Sequence, residues 1–343
     1  MIKIGVVGLG YWGPNLVRNF RNTPGCEMAV CCDRDADRLS RIQNLFPEVE
    51  VTENHEDLLN SDIDAVALAT PVWTHFDLGK AFLEAGKHVF IEKPMTPSAE
   101  EAEQLIAIAE RNNCRLMVGH TFEYTAAVNK IKDIIDSGEI GDVLYINSTR
   151  VNLGLFQQDI NVIWDLAPHD ISIITYILGQ EPTTVNAQGQ SHYHETIEDV
   201  AMTTLNFDSG TIAFVRNSWI DPNKDRTMIF VGSKKMLVYN DISPNEKIKI
   251  YDKGVEKPSY YNNFGEFQYS YRYGDIYIPR LEDYEALSAE CRHFIESIEN
   301  STAPRSDGYS GLRVIRIIEA ANKSLAEEGR AVKVAPCLSN ATT

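Results

Sequence analysis

The sequence predicts an α/β protein with two domains. Residues 1–122 read as a doubly wound parallel sheet, and residues 123–343 as an α+β domain with a large, open, mostly antiparallel sheet. Three observations carry this reading. A glycine-rich turn joins the first strand to the first helix. Continuously apolar strands then take turns with helices as far as residue 120 or so, the mark of a sheet covered on both faces. Beyond residue 122 the strand-like runs alternate polar and apolar side chains, as antiparallel sheets with one covered face do. A chain of 343 residues also exceeds one ordinary core.

The first strand, residues 2–7, is rich in β-branched side chains and runs into Gly8-Leu9-Gly10-Tyr11-Trp12-Gly13, then a helix over 14–22. A second apolar strand over 28–32 ends at Asp33, twenty residues after Gly13. This is the G-x-G-x-x-G arrangement of a Rossmann dinucleotide site. One glycine makes the tight turn and another admits a pyrophosphate at the helix N-terminus. The acid accepts hydrogen bonds from the adenosine ribose. A charged helix over 35–46 follows. A strand over 64–69 ends at Thr70-Pro71, a helix covers 74–85, and a strand over 88–91 ends at Glu92-Lys93-Pro94. A helix over 98–112 and a strand over 115–118 complete the unit.

A helix over 126–137 opens the second domain, followed by strands over 143–151, 185–191, 200–207, 211–219, 227–231, 235–239 and 247–251. Asp208-Ser209-Gly210 is a hairpin turn. Residues 255–278, rich in Tyr, Asn and Gly, read as a long ordered loop, and helices return over 284–299 and 312–327. Helices on one face leave the other face of the sheet in search of a partner, so a homodimer or homotetramer is expected.

The net charge of −17 argues against nucleic acid or an anionic membrane as partner, and any phosphorylated ligand must be held by local donors. No apolar run approaches the ~20 residues that span a bilayer, and the N-terminus lacks the features of a signal peptide. The six cysteines (Cys26, Cys31, Cys32, Cys114, Cys291 and Cys337) show no C-x-x-C spacing, as expected of buried thiols in a reducing cytoplasm. His192 and His194 are spaced as H-x-H but lack a nearby acidic or thiolate ligand, so no metal is expected.

Ligands of open α/β sheets bind beyond the carboxyl ends of the strands. Thr70, Pro71, Glu92 and Lys93 stand at such ends and His75 follows the first of them, so all five join the expected cofactor set. Lys93 would face the nicotinamide crevice, where burial and the oxidised ring's charge lower a lysine pKa; a solvated loop lysine is the other reading of its spacing. In Trp164-Asp165-Leu166-Ala167-Pro168-His169-Asp170, Asp165 and His169 fall four apart on one helix face. Pro168 is tolerated only in a first turn, which sets the pair near the helix start. Histidine suits removal of a hydroxyl proton near neutral pH, and a carboxylate can fix its tautomer. At the adenosine end Asp33 repels a 2′-phosphate and favours NAD, whereas Arg34 could pair that phosphate and admit NADP.

The glycine motif, Glu92-Lys93-Pro94 and the D-x-x-x-H of Asp165 and His169 together resemble the Gfo/Idh/MocA oxidoreductases, over essentially the whole chain. The resemblance implies that Lys93 positions a substrate hydroxyl and helps move its proton, and that His169 is the general acid/base. Asp165 would orient His169 or bind a neighbouring hydroxyl. It also implies a cis peptide before Pro94, and Tyr11 and Trp12 flanking the pyrophosphate or the nicotinamide. Gly10-Tyr11-Trp12-Gly13-Pro14-Asn15 and the 164–170 segment are similar to the subgroup of nucleotide-sugar and surface-polysaccharide biosynthesis. The implied activity is dehydrogenation of a nucleotide-linked sugar at a ring carbon, C3 by preference, or its reduction in the reverse sense, with a cyclitol or free sugar as alternative. A non-catalytic dinucleotide sensor on the same scaffold is the rival from another class. Polarity and position single out Tyr124, Arg150, Trp164, Lys224 and Arg226 as substrate contacts; for the last two a solvated hairpin is the competing reading.

Overall fold

A computed structural model describes residues 1–256 and 270–337. Of these, the first unit comprises 1–125, 284–319 and 337, and the second 126–256, 270–283 and 320–336.

In the first unit, β1 (Ile2–Val7) leads through the glycine turn into α1 (Gly13–Arg21), with Pro14 in its first turn. Then come β2 (Cys26–Cys32), α2 (Ala36–Leu45), β3 (Glu50–Thr52), α3 (His55–Asn60), β4 (Ala65–Leu68), α4 (His75–Glu84), β5 (His88–Glu92), α5 (Ala99–Arg111) and β6 (Leu116–Gly119). The sheet order is β3-β2-β1-β4-β5-β6, all parallel, with the strand order reversing between β1 and β4. That reversal point is where such sheets hold ligands. Both β3 and α3 escape sequence reading, because three strand residues and a six-residue helix are too short to show a period. Side-chain caps start the helices: Asp35 accepts from Asp37 and Arg38 at α2, and Ser98 from Glu101 at α5.

In the second unit, α6 (Ala126–Asp136), β7 (Val143–Leu153) and α7 (Val162–Leu178) precede β8 (Thr184–Gln190), β9 (Val200–Asn206), β10 (Ile212–Ser218), β11 (Ile220–Gly232), β12 (Met236–Asn240), β13 (Ile248–Glu256) and β14 (Ser270–Tyr277). The sheet order is β14-β13-β12-β11-β7-β10-β9-β8-β15, where β15 is Val332–Lys333. Every pairing is antiparallel except β7 with β10. The expected turn at Asp208-Ser209-Gly210 joins β9 to β10, with Gly210 at φ +85°. Helix α7 packs on β7, β9 and β10, where Ile146, Ala201, Leu205, Ala213 and Val215 are buried; Met202 and Arg216 on the other face are exposed.

Four expectations need correction. Helix α7 starts at Val162 behind an Asn161 cap, so Pro168 lies in its second turn and not its first. Residues 255–278 are not one loop: β13 runs through Glu256 and β14 occupies Ser270–Tyr277, paired with it, while 257–269 fall outside the described residues. Strand β11 begins seven residues before the expected start at 227, its polar first half hiding it. Finally, the chain does not divide once at residue 122. Helix α8 (Ala286–Glu299) and the first part of α9 (Gly308–Ala326) belong to the first unit. Phe20, Phe90 and Phe294 explain this. They meet edge to face at centroid distances of 5.8 to 6.2 Å, so α8 completes the core of α1 and β5. Leu287, Cys291, Ile295 and Ile298 join the same cluster.

Candidate active site

The glycine turn has the backbone geometry that its sequence demands. Gly8 sits at φ +93°, and a Cβ there would lie 2.6 Å from the Ala69 carbonyl oxygen. A Cβ on Gly13 would lie 2.1 Å from the Gly8 carbonyl oxygen, so turn and helix meet backbone to backbone. At Gly10 the nearest atom is Arg38 Nη1 at 3.9 Å, which leaves open space beside the turn. Replacing Gly13 with Ala is therefore expected to weaken NAD binding by tenfold or more and to lower the melting temperature. Titration calorimetry and thermal unfolding check this, and wild-type affinity would contradict it.

A cleft of about 1030 Å³ opens here, lined by Gly8, Gly10, Asp33, Arg34, Arg38, Thr70, Pro71 and Trp73 among others. Asp33 is buried; its Oδ2 accepts the Leu9 amide at 2.6 Å and lies 3.4 Å from Arg38 Nη1. Arg38 also faces Asp35 at 3.4 Å, so much of its charge is already countered. Arg34 is exposed at the rim. Arg38 and Trp73 were missed in the sequence, though both follow strand ends by a few residues. The donors, the acid and the cradle lacking Cβ atoms fit a dinucleotide. Tyr11 and Trp12 are exposed beside the turn and meet edge to face at 5.6 Å.

Two members of the expected cofactor set are instead buried behind the site. His75 is 1% exposed and bridges two strand-end loops, with Nδ1 3.0 Å from the Pro94 carbonyl and Nε2 2.8 Å from that of Thr70. Burial lowers its pKa, so the neutral ring serves one of the two carbonyls as donor. Glu92 points inward against Gly119, where a Cβ would come within 3.1 Å of Oε2. Lys93 follows it, half-buried, and the Lys93–Pro94 peptide is cis.

Beneath Lys93 lies a group of buried acids. Burial pushes Glu92 up to about 7 against the pull of Lys93. It pushes Glu123 up to about 8 against Arg305 and Arg313. Glu290, whose Oε2 accepts from Thr121 Oγ1 at 2.7 Å, is raised by burial and then by Glu92. His120 is held down to about 3 by burial, then by Lys93 and Arg313. Acids with raised folded-state pKa values stabilise the fold at low pH, and that stability is lost as pH rises through about 7 to 8. His120 acts in the opposite sense, its contribution lost as pH falls from its ordinary value towards 3. Thermal unfolding of Glu123→Gln is thus expected to show a stability advantage over wild type that grows by roughly 2–3 kcal/mol between about pH 6 and 9. Parallel pH profiles for the two proteins would refute it.

In the second unit Asp165 and His169 are half-buried, one turn apart on α7. Asp165 Oδ2 accepts the Trp219 indole N–H at 2.9 Å. Trp164, also half-buried, donates its amide to the Asn161 cap. Two expected substrate contacts are corrected. Tyr124 is 3% exposed in the core of the first unit, its hydroxyl 3.2 Å from Ser306 Oγ and Arg305 stacked over its ring. Arg150 is 4% exposed and bonds Asp170 through Nε at 3.0 Å, so its charge is spent inside the fold. Burial opposes the charge on Arg150, and Asp170 outweighs it. Arg226 sits opposite Arg150 in the sheet, 3.5 Å from Asp241, and Lys224 is exposed on β11.

Residues 2–120 match the model described as "Oxidoreductase family, NAD-binding Rossmann fold", and residues 128–238 match the "GFO/IDH/MocA C-terminal domain". The chain belongs to the Gfo/Idh/MocA oxidoreductase family. Its first unit is thus an NAD-binding Rossmann domain. The chain is 27% identical to the myo-inositol 2-dehydrogenase of Thermotoga maritima, covering 97% of this chain and 98% of that one. It is 26% identical to the UDP-N-acetylglucosamine 3-dehydrogenase of Acidithiobacillus ferrooxidans, over 92% of this chain and 94% of that one. The solved structure of that enzyme has a TM-score of 0.78, covering 95% and 98% of the two chains. Levoglucosan dehydrogenase, solved with NADH and levoglucosan, has a TM-score of 0.82 at 22% identity, covering 98% and 100%. The fold is therefore shared along the full length.

Proposed function

We propose that this oxidoreductase is an NAD-dependent sugar dehydrogenase acting at C3 of a nucleotide-linked sugar, or as a ketoreductase in the reverse sense. The observation that carries the reading is the pairing of Asp165 and His169 on one face of α7 in a chain that also sets Lys93 at the end of β5, the strand beside the dinucleotide cleft. Bound NAD supplies the hydride acceptor at its nicotinamide C4. The protein's own groups handle the proton: His169 takes it from the substrate hydroxyl, Lys93 steadies the developing alkoxide, and Asp165 holds the hydroxyl or imidazole in register. Asp33, with Arg38 already engaged by two carboxylates, favours NAD over NADP.

Similarity to a UDP-N-acetylglucosamine 3-dehydrogenase supports the nucleotide-linked substrate, and similarity to a myo-inositol 2-dehydrogenase supports a cyclitol as the second reading. The same proposal includes a cytoplasmic protein in surface-polysaccharide precursor synthesis, assembled as a homodimer or homotetramer through the uncovered sheet face. Among the described residues, no helix is long and apolar enough to cross a membrane. The test is nicotinamide reduction with UDP-N-acetylglucosamine, myo-inositol and glucose, each with NAD and NADP. The nucleotide sugar with NAD is expected to give the highest kcat/KM; turnover of myo-inositol alone, or a strong preference for NADP, overturns the corresponding part of the proposal.

A further inference from the structure

Within the second unit, a row of aromatic rings leads outward from Asp165. Trp219, 1% exposed, donates its indole N–H to Asp165. Phe156 leans on Trp219 at a centroid distance of 5.6 Å, and Tyr193 meets Phe156 at 5.4 Å with the ring planes 70° apart. These outer two rings are displayed, Phe156 at 40% exposure and Tyr193 at 76%. The fold gains little core from them.

The turn that carries Tyr193 is built, however. Asp199 is 1% exposed, and its Oδ2 accepts the amides of His192 at 2.8 Å and Tyr193 at 3.1 Å. Its Oδ1 lies 2.7 Å from His192 Nδ1. A buried carboxylate therefore fixes both the backbone under Tyr193 and the orientation of a half-exposed imidazole, whose Nε2 is the nitrogen left for a ligand. These three hydrogen bonds offset the cost of burying the Asp199 carboxylate, so the turn is held in one arrangement.

We propose that Phe156, Tyr193 and His192 form a shelf that binds the nucleoside diphosphate part of the substrate, the base stacking on the exposed rings and His192 accepting at Nε2 from a ribose hydroxyl. This rests on the nucleotide-sugar reading above. Two features favour such a ligand over the reacting sugar itself. The shelf stands two ring-to-ring steps beyond Asp165, a separation that suits a substrate extending well past its reacting sugar. Exposed rings, Tyr193 above all, also suit the flat π-surface that every base offers. The competing occupant is a second copy of this chain, since Leu153 and Leu155 nearby are exposed as well.

The test uses the full-length, NAD-loaded enzyme, with UDP titrated calorimetrically into wild type, Tyr193→Ala and Tyr193→Phe. Loss of a base-stacking ring is expected to weaken UDP roughly tenfold or more in Tyr193→Ala, with Tyr193→Phe close to wild type. The loss should fall on KM for the nucleotide sugar rather than on kcat. Three results overturn the shelf: no UDP binding by wild type; equal UDP binding by Tyr193→Ala; or a Tyr193→Ala sedimentation mass smaller than wild type with UDP affinity unchanged. Failure of the dehydrogenase reading shows differently. UDP binding that Tyr193→Ala weakens, without hydride transfer from any sugar, keeps the shelf and removes the proposed reaction.

Discussion

Lys93→Met should bind NAD as tightly as wild type and turn over at least ~10²-fold more slowly, the deficit expected when a group that positions and moves a proton is lost. Methionine is the appropriate replacement because it keeps the length of an unbranched side chain while removing the ammonium. The expected defect lies in kcat and kcat/KM together, because an interaction with a developing alkoxide exists only in the transition state. Stopped-flow or steady-state nicotinamide absorbance measures turnover, and calorimetry measures the cofactor. One structural risk is specific to this site. Lys93 draws on Glu92 and repels a proton from His120, so its removal alters the charge balance of the buried acids. A melting temperature measured beside the kinetics separates that effect from catalysis. Turnover at the wild-type rate would end the assignment of Lys93 and revive the non-catalytic sensor.

The second large effect concerns stability. Asp170→Ala is expected to cost about 3–5 kcal/mol, because it removes the carboxylate that does most to offset the burial of the Arg150 guanidinium. The contact is close: Arg150 reaches Asp170 through Nε at 3.0 and 3.1 Å and through Nη2 at 3.0 Å, and the two side chains are 5% and 2% exposed. Asn217 Nδ2, at 3.5 Å, adds at most a weak contact. The double variant Arg150→Met with Asp170→Ala should recover much of the loss, since the buried guanidinium goes with its carboxylate. A single variant as stable as wild type would mean that water reaches the arginine. These residues join β7 to α7, the helix carrying Asp165 and His169, so partial activity loss in Asp170→Ala at low temperature is expected through displacement of that helix.

The parts of this protein that were legible in its sequence are those encoded over short separations. Gly8, Gly10 and Gly13 state a backbone requirement in six residues, and the structure meets it with contacts that leave no room for a Cβ at Gly8 or Gly13. The apolar strands of the first unit announce a sheet covered on both faces. The four-residue spacing of Asp165 and His169 survived even though Pro168 lies deeper in the helix than a first-turn rule allows, because helical periodicity depends on spacing and not on where the helix begins.

Tertiary structure alone decided which polar residues face a ligand and which are spent inside. Arg150, Tyr124, His75 and Glu92 have the chemistry of site residues, yet each is buried. For Arg150 the reason is a partner twenty residues away; for His75 it is two carbonyls on separate strand-end loops. It also decided that α8 completes the first core and that Asp199 braces Tyr193, pairings between segments whose order in the chain says nothing of their proximity. Local sequence sets a residue's chemistry and its position along a helix or strand. Whether its charge meets water, a ligand or a buried counter-charge depends on chain segments brought together only by folding, and the cost of burying it is what makes that difference decisive.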